Sequence, residues 1–443
     1  MNKPRLLFLL APALAVALAP ALAAQPAANE PDPHVAITAG EILEHIDVLA
    51  SDLFQGREAS TKGERRAASY IVSNLKDAGR LQPGGSDGSW YQPFELTYDG
   101  EQREARNVLA ILPGNDTELK HEIIVIGAHY DHVGYGHSGN SLDEAGDIHN
   151  GADDNASGSA TLIDLATSLA NSGWKPRRTI MFQWYSGEEL GLLGSRHYVK
   201  EPVFPLDDHV FMLNMDMVGR LTGRRLLVGG TGTTPGMEEL AQGYCDDLGL
   251  DMLNDPPGSA PSDNSSFYDV GIPCLFLFTG LHSDYHRAGD DAYKVNATGS
   301  QDIGRLARRL VEQLDARDER PKFTRSPGMA NIFMPRPYVG ATFGVAPADP
   351  DTMARVEVVI PESPAALAGL REGDLVVSLN GGAVSGPRTF DNWLKLADHQ
   401  VVPVTLGVLR TAEASDTAGA GPPDMPAPPG YVRLELAIQP SVR

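Results

Sequence analysis

Short runs of apolar residues alternate with helix-like segments through most of this 443-residue chain. The strand-like runs cover residues 108–112, 123–128, 179–185, 210–216 and 274–278. They are continuously apolar rather than alternating, which is typical of strands buried on both faces of a parallel sheet. The pattern therefore predicts an α/β fold, with a mostly parallel, twisted sheet covered by helices on both faces.

The segments between these runs predict the helices. Thr38 and Glu41 form a capping box, which places the start of a helix at residue 38. Apolar residues at helical spacing support the other assignments. The predicted helices cover residues 38–50, 65–75, 157–170, 189–199, 237–248 and 302–314.

The first 37 residues lie outside this pattern. Lys3 and Arg5 precede a stretch of apolar residues from 6 to 22, and Ala21 and Ala23 fit a cleavage site. This order predicts a signal peptide over residues 1–23, followed by a disordered leader over residues 24–37. We expect export, to the periplasm or out of the cell, with no membrane span after cleavage.

The alternation of strands and helices stops near residue 317. Residues 317–337 are charged and contain prolines, so they are predicted to link a first domain, residues 38–316, to a smaller one, residues 338–443. Residues 411–430 within the smaller domain are rich in Ala, Gly and Pro and predict a flexible loop.

Charge and cysteine content narrow the picture slightly. The formal net charge is −22, and an acidic chain of this kind is a poor partner for nucleic acid or anionic lipid. Cys245 and Cys274 are the two cysteines of the sequence. An exported protein could join them in a disulfide, and they could equally be two buried thiols.

Five short motifs carry the chemistry, and each lies close to the end of a predicted strand, where open α/β sheets form their sites. Taken singly, each motif could be an ordinary turn or helix cap. Together they supply two imidazoles and three carboxylates, a mixture that suits zinc with a carboxylate bridging to a second ion. The motifs cover residues 127–131, 150–158, 186–195, 214–219 and 283–287.

With these motifs, residues 41–314 resemble the secreted co-catalytic di-zinc aminopeptidases of metallopeptidase clan MH. Segments 51–57, 63–64 and 107–114 add to the likeness. The resemblance implies a zinc-dependent exopeptidase fold, two Zn²⁺ per chain, and peptide substrates with a free N-terminus.

The resemblance also implies the metal ligands. His129 and Asp216 would hold one zinc ion, and Glu189 and His286 would hold the other. Asp154, the second aspartate of its motif, would bridge the two ions.

Four further residues take roles from the same resemblance. Glu188 would be the general base, and Tyr285 would donate to the developing oxyanion. Asp131 would support His129 from behind. Asp263 matches a family aspartate, although Asn264 stands where the family often has a histidine, so its supporting role is open.

Other functions remain open at this point. A carboxypeptidase on the same fold would need basic residues for the terminal carboxylate, and Arg220, Arg224 and Arg225 are candidates. A glutaminyl cyclase would use one zinc ion. A non-catalytic binding protein would have lost metal ligands, whereas every ligand position here is filled.

The smaller domain resembles a PDZ domain, a small α+β fold. The resemblance rests on the string Ser-Pro-Ala-x-x-Ala-Gly-Leu-x-x-Gly-Asp at residues 363–374. It implies a groove helix at residues 390–398 and capture of a peptide C-terminus as an added strand. The domain could instead only pack on its neighbour. The residues expected in its core are Val358, Ile360, Leu367, Leu370, Leu375, Val377, Leu379, Trp393 and Leu396.

Overall fold

The computed structural model describes most of residues 37–329 and parts of the C-terminal region. The predicted signal peptide, the groove helix at residues 390–398 and most of the loop at residues 411–430 lie outside the described residues. The described ranges are 37–98, 100–137, 140–329, 337–338, 341–345, 354–359, 363–379, 382–384, 404–411, 431–438 and 441–442.

A nine-stranded sheet organises the first domain within the described residues. Its central strands run in the order β5-β4-β6-β9, and all three pairings between them are parallel. The flanking strands β3 and β7 are antiparallel to their inner neighbours. The strands are β1 Gln82–Pro83, β2 Tyr91–Tyr98, β3 Glu101–Leu112, β4 Ile123–His129, β5 Thr179–Tyr185, β6 His209–Met215, β7 Arg225–Gly229, β8 Asp251–Asp255 and β9 Cys274–Phe278.

Helices cover both faces of this sheet, as the sequence predicts. On one face Ile126 and Phe182 belong to a core shared with α1, α2, α3, α5 and α7. On the other face Val125 and Met181 pack in a second core with residues of α4 and α6. The helices are α1 Ala39–Leu49, α2 Lys62–Asp77, α3 Gly158–Asn171, α4 Leu193–Lys200, α5 Met237–Leu248, α6 Asn264–Asp269 and α7 Ala297–Ala316.

Local sequence explains where some of these helices begin. The amide of Glu41 donates to Oγ1 of Thr38 at 3.1 Å, so the predicted capping box starts α1. Helix α4 starts at Leu193, four residues later than predicted, because the chain first takes left-handed conformations at Gly191 (φ 103°) and Leu192 (φ 61°). A helix cannot continue through such residues.

The C-terminal region forms a separate six-stranded antiparallel sheet within the described residues. Leu370 and Leu375 are buried, as predicted, whereas Val358 and Leu367 are 46% and 81% exposed, so their predicted place in its core is wrong. The predicted core residues Ile360, Trp393 and Leu396 lie outside the described residues. The pairing of β11 with β12 is irregular between Thr342 and Phe343, which changes the inward alternation after Val356. The elements are β10 Pro337–Tyr338, β11 Ala341–Val345, β12 Ala354–Val359, α8 Pro364–Leu367, β13 Leu375–Leu379, β14 Gly382–Ala383, β15 Val404–Thr411, β16 Tyr431–Ile438 and β17 Ser441–Val442.

The segment predicted as a linker contacts the first domain over its described part. Phe323 packs against Tyr268 with ring centroids 5.5 Å apart, and the Tyr268 hydroxyl donates to the Ser326 carbonyl at 2.8 Å. The amide of Thr324 donates to the carbonyl of Thr233 at 2.8 Å. Residues 317–329 therefore belong physically with the first domain.

Two remaining sequence questions concern the cysteines and the membrane. Cys245 and Cys274 are both buried and both free thiols. Within the part of the chain that the structure describes, no helix has the length and apolarity needed to cross a bilayer.

Candidate metal centre

The predicted ligands meet at the carboxyl edge of the sheet, the edge at which β4, β5, β6 and β9 end. His129 is the last residue of β4, and Asp216 directly follows β6. Glu188 and Glu189 come three and four residues after β5, and His286 lies in the loop after β9. Parallel strands place these sequence-distant residues side by side because their carboxyl ends share one edge.

Asp154 lies between two histidines, one at the end of β4 and the other in the loop after β9. Its Oδ1 is 3.4 Å from Nε2 of His129, and its Oδ2 is 3.1 Å from Nε2 of His286. The carboxylate is 4% exposed. Each oxygen therefore faces a different imidazole, which is the arrangement of a carboxylate that can bridge two ions.

His129, Glu188 and Asp216 form the first of two ligand groups. Each offers an atom within 4.8 Å of the others. Nε2 of His129 is 3.3 Å from Oδ1 of Asp216 and 4.0 Å from Oε2 of Glu188. The predicted base Glu188 thus lies beside the predicted ligands on this side.

The second group contains a residue that the sequence analysis did not select. His132, Asp154 and Glu189 offer atoms within 4.8 Å of one another. Nε2 of His286 is 3.0 Å from Oε2 of Glu189, and Nδ1 of His132 is 2.8 Å from Oε1 of the same carboxylate. The available signal was its position directly after Asp131 in the first motif.

Asp131 and Asp263, the two residues predicted to support the ligands, lie in different surroundings. The Asp131 carboxylate lies 3.7 Å from Nδ1 of His129 and also accepts the amide of Glu188 at 3.1 Å. Asp263 is buried, and its carboxylate oxygens have no hydrogen-bond partner among the described residues. Its neighbour Ser262 instead donates to Oδ2 of Asp216 at 2.6 Å.

The loop that carries Asp154 is held from below by buried charges. Oδ2 of Asp290 accepts the amides of Asp153 and Asp154 at 2.8 and 3.0 Å. Arg220 donates to the other oxygen of Asp290 at 2.8 Å. Asp290 was not selected from sequence, because it lies 136 residues from Asp154. Arg220 was selected only as a candidate for binding a terminal carboxylate.

Arg57 joins three segments beneath the ligands. Its guanidinium donates to the carbonyls of Leu49, Tyr130, Asn150 and Gly151 at 2.7–2.9 Å, and the residue is fully buried. Burial lowers the pKa of Arg57 to about 10, although nearby carboxylates such as Asp154 raise it. The arginine therefore remains a cation at neutral pH.

The two adjacent glutamates have opposite electrostatic surroundings. Burial raises the pKa of Glu188 well above its ordinary value, and the charge of Glu189 adds to the effect. Burial also acts on Glu189, but His286 and His132 outweigh it and lower its pKa. Divergent pKa values in neighbouring carboxyls are the usual sign of separate acid–base and ligand roles.

Zinc fits this donor set. Imidazole nitrogens and carboxylate oxygens are its ordinary ligands together with thiolates. Among the described residues, the ion-pair partners of Asp154, Glu188, Glu189 and Asp216 are histidines rather than lysines or arginines. A buried group of carboxylates without such cations calls for positive charge from another source.

Backbone strain accompanies the ligands. His286 itself has a φ of 52°, and Met217, directly after Asp216, has a φ of 47°. Non-glycine residues in this region are strained and persist where the surroundings hold them in place.

A small pocket opens beside the ligand groups. Its polar lining consists of His129, Asp154, Glu188, Asp216, Tyr285 and His286. The remaining wall is apolar and is formed by Met217, Pro261, Phe276, Phe278 and Leu281. The predicted oxyanion donor Tyr285 stacks on His286, with ring centroids 3.9 Å apart.

Two family models match the chain. Residues 107–311 match the model of peptidase family M28, and residues 355–410 match that of the PDZ domain. The first match covers all five motifs of the sequence analysis.

Curated relatives are similar to part of this chain. Leupeptin-inactivating enzyme 1 of Streptomyces exfoliatus is 26% identical over 67% of this chain and 60% of its own length. A probable leucine aminopeptidase of Trichophyton verrucosum is 31% identical over 55% of this chain and 63% of its own. The chain thus spans less than two thirds of the length of these relatives.

Solved structures share the fold. A zinc-dependent exopeptidase from Parabacteroides distasonis superposes with a TM-score of 0.52 at 19% identity, over 62% of this chain and 98% of that one. A glutaminyl cyclase from Porphyromonas gingivalis gives a TM-score of 0.51 at 19% identity, over the same shares of the two chains. Because one fold hosts both, the choice between activities rests on the site.

Proposed function

We propose that this protein is a zinc-dependent aminopeptidase, because residues 107–311 match the model of peptidase family M28. It would bind two Zn²⁺, one on His129 and Asp216 and the other on Glu189 and His286, with Asp154 as the bridge. A C-terminal PDZ domain accompanies this peptidase domain.

The observation that carries the proposal is the position of Asp154. Its two oxygens face His129 and His286 at 3.4 and 3.1 Å, so one carboxylate serves both ligand groups. A site for a single ion would not need this bridge, and the placement therefore favours the aminopeptidase over a one-zinc glutaminyl cyclase.

Zinc ions supply Lewis-acid polarisation of the scissile carbonyl and lower the pKa of the attacking water. Glu188 takes the proton of that water and returns it to the leaving amine. Burial raises its pKa above the ordinary value, which is the direction that favours a carboxylate acting as both base and acid. Tyr285 donates a hydrogen bond to the developing oxyanion. Burial, together with the charge of Asp154, keeps its pKa above the ordinary value and the phenol protonated.

The negative charge of the site indicates which end of a peptide substrate it would bind. An ammonium group is stabilised beside buried carboxylates, whereas a terminal carboxylate would be repelled by them. The pocket lining contains no lysine or arginine among the described residues. Its apolar wall of Met217, Phe276, Phe278 and Leu281 suits an apolar first side chain such as leucine or phenylalanine.

The arginines that a carboxypeptidase would need are engaged elsewhere. Arg220 pairs with Asp290 at 2.8 Å and is mostly buried. Arg224 pairs with Asp302 at 2.8 Å, and Arg225 pairs with Asp251 at 3.2 Å. None of the three lines the pocket.

The test compares amino-acyl anilides and short peptides with free or acetylated N-termini, with and without a chelator. We expect cleavage of leucyl and phenylalanyl anilides, no cleavage after acetylation, and loss of activity on chelation that zinc restores. Release of C-terminal residues would replace the proposal by a carboxypeptidase. Cyclisation of N-terminal glutamine without peptide hydrolysis would replace it by the cyclase.

We also propose that the enzyme is exported and that its PDZ domain binds the C-termini of peptides. Sequencing the N-terminus of the mature protein checks the first point, since cleavage after Ala23 leaves Ala24 first. Isothermal titration with peptides bearing a free or amidated C-terminus checks the second. Equal binding of both forms would exclude recognition of the terminal carboxylate.

A further inference from the structure

His132 contacts Glu189, a predicted ligand whose two oxygens face two different histidines. Its Nδ1 is 2.8 Å from Oε1 of Glu189, whereas Nε2 of His286 is 3.0 Å from Oε2. The next nearest carboxylate oxygen to His132, Oδ2 of Asp154, is 3.8 Å away, beyond hydrogen-bond distance. The contact is therefore specific to one oxygen of one residue.

The ring of His132 is fixed in place by its surroundings. The residue is 1% exposed, and its Nε2 has no hydrogen-bond partner among the described residues. A side chain on Gly151 would start 2.4 Å from the ring, so the glycine backbone lies directly against it. The His132 amide also donates to the carbonyl of Arg57 at 3.3 Å. A locked ring with one engaged nitrogen can orient its partner.

We propose that His132 is a positioning residue that donates from Nδ1 to Oε1 of Glu189 and so presents Oε2 to the zinc ion shared with His286. This inference rests on the proposed function. A ligating carboxylate needs its second oxygen held, because free rotation would cost the site both order and affinity. Asn140 donates to the backbone carbonyl of Glu189 at 3.0 Å and to its Oε2 at 3.1 Å, so a second side chain fixes the same residue from the side opposite His132.

The experiment compares His132→Asn with His132→Gln. The two amides have similar polarity, but the asparagine nitrogen can take the place of Nδ1, whereas the longer glutamine places its amide where Nε2 was. Zinc affinity is measured by chelator competition, and the coordination of the exchanged Co²⁺ protein is followed by its visible spectrum. We expect His132→Gln to weaken one of two zinc sites by about 10- to 100-fold and His132→Asn to stay near wild type.

His209→Ala provides the matched control. His209 is also a buried histidine, bonded to the Tyr198 hydroxyl at 2.7 Å, but it lies at the start of β6, the opposite edge of the sheet. Its loss should lower the melting temperature and leave both zinc affinities unchanged.

Three outcomes would overturn the inference. Wild-type zinc affinity in the glutamine variant would show that no positioning is needed. Equal damage in both variants, with an altered Co²⁺ spectrum, would make His132 a direct ligand instead. Equal damage without a spectral change would leave no role for a donor at Nδ1. A wild-type protein that binds no zinc would overturn the proposed function itself.

Discussion

Each edge of the main sheet contains a fully buried arginine, and the two are partnered differently. At the carboxyl edge, Arg57 donates to four backbone carbonyls around the candidate metal centre. At the opposite, amino edge, Arg178 directly precedes β5 and donates to the Glu122 carboxylate at 2.7 Å. Its guanidinium also donates to the Leu314, Asp315 and Arg317 carbonyls at 3.4, 3.0 and 2.7 Å, at the end of α7.

The difference shows which edge of the sheet lacks compensating positive charge. The charge of Arg178 is neutralised in contact, so the amino edge is complete without any further ion. Arg57 shapes the loops before Asp131 and Asp154 but touches neither carboxylate among its hydrogen bonds. The carboxyl edge therefore retains an excess of buried negative charge, which is a cost to folding unless cations bind there.

The largest expected effect distinguishes a carboxylate at the carboxyl edge, Glu188, from one at the amino edge, Glu122. Glu188→Gln should lower kcat by about 10²- to 10⁴-fold, because it removes proton transfer, and should leave zinc content unchanged. Glu122→Gln at the amino edge should lower the melting temperature, since it breaks the pair with Arg178, and should leave kcat unchanged. Steady-state kinetics, metal analysis and thermal melts check both variants.

Glu189→Gln tests the assignment of the neighbouring glutamates. It should weaken zinc binding, because it removes a ligand oxygen rather than a base. If Glu188→Gln lost zinc and Glu189→Gln kept it, the two roles would be exchanged.

The next largest effect distinguishes the role of Arg57 from that of Arg178. Arg57→Lys keeps the positive charge, but an ammonium group has three donors and cannot make the four contacts that span three segments. We expect zinc affinity to fall by about 10-fold or more, by analogy with other losses of supporting contacts around metal ligands. Arg178→Lys should lower stability alone. Zinc affinity equal in both variants would show that Arg57 serves folding and not the metal centre.

The amino acid sequence predicts the buried strands better than the edges of the fold. Strands β5 and β9 match the predicted residues 179–185 and 274–278, because strands covered on both faces are uniformly apolar. Strand β2, Tyr91–Tyr98, was not predicted, because it alternates buried and exposed residues and contains Pro93.

The sequence likewise predicts some residues of the candidate site and misses others. The motifs contain the residues predicted to bind the metal ions, and the structure brings His129, Asp154, Glu189, Asp216 and His286 together. Supporting contacts such as His132 with Glu189 join residues 57 positions apart and follow no local pattern. Such contacts are set by tertiary packing and could not be derived from spacing.

A smaller effect concerns the pocket, which belongs to the carboxyl edge. Leu281→Ala removes part of its apolar wall and should lower kcat/KM for leucyl and phenylalanyl anilides by about 10-fold relative to alanyl anilide. Leu206→Ala is the control, because Leu206 is a partly buried leucine near the start of β6 at the amino edge. An unchanged preference in the first variant would place the first side chain of the substrate elsewhere.

The smallest effect is expected from removing the PDZ domain, provided that the cut respects the amino edge. The carbonyl of Arg317 is bonded by Arg178 at 2.7 Å, and Arg320 donates to the carbonyl of Asp207 at 2.7 Å. A chain ending at Met329 keeps these contacts and all predicted ligands, so it should match the full-length protein in zinc content, melting temperature and anilide turnover. A chain ending at Ala316 loses them and should melt earlier while binding zinc normally. Thermal melts and anilide kinetics on the three proteins test these expectations.

Loss of turnover in a folded chain ending at Met329 would show that the second domain completes the catalytic site. Equal melting temperatures of the two short chains would show that residues 317–329 do not stabilise the amino edge.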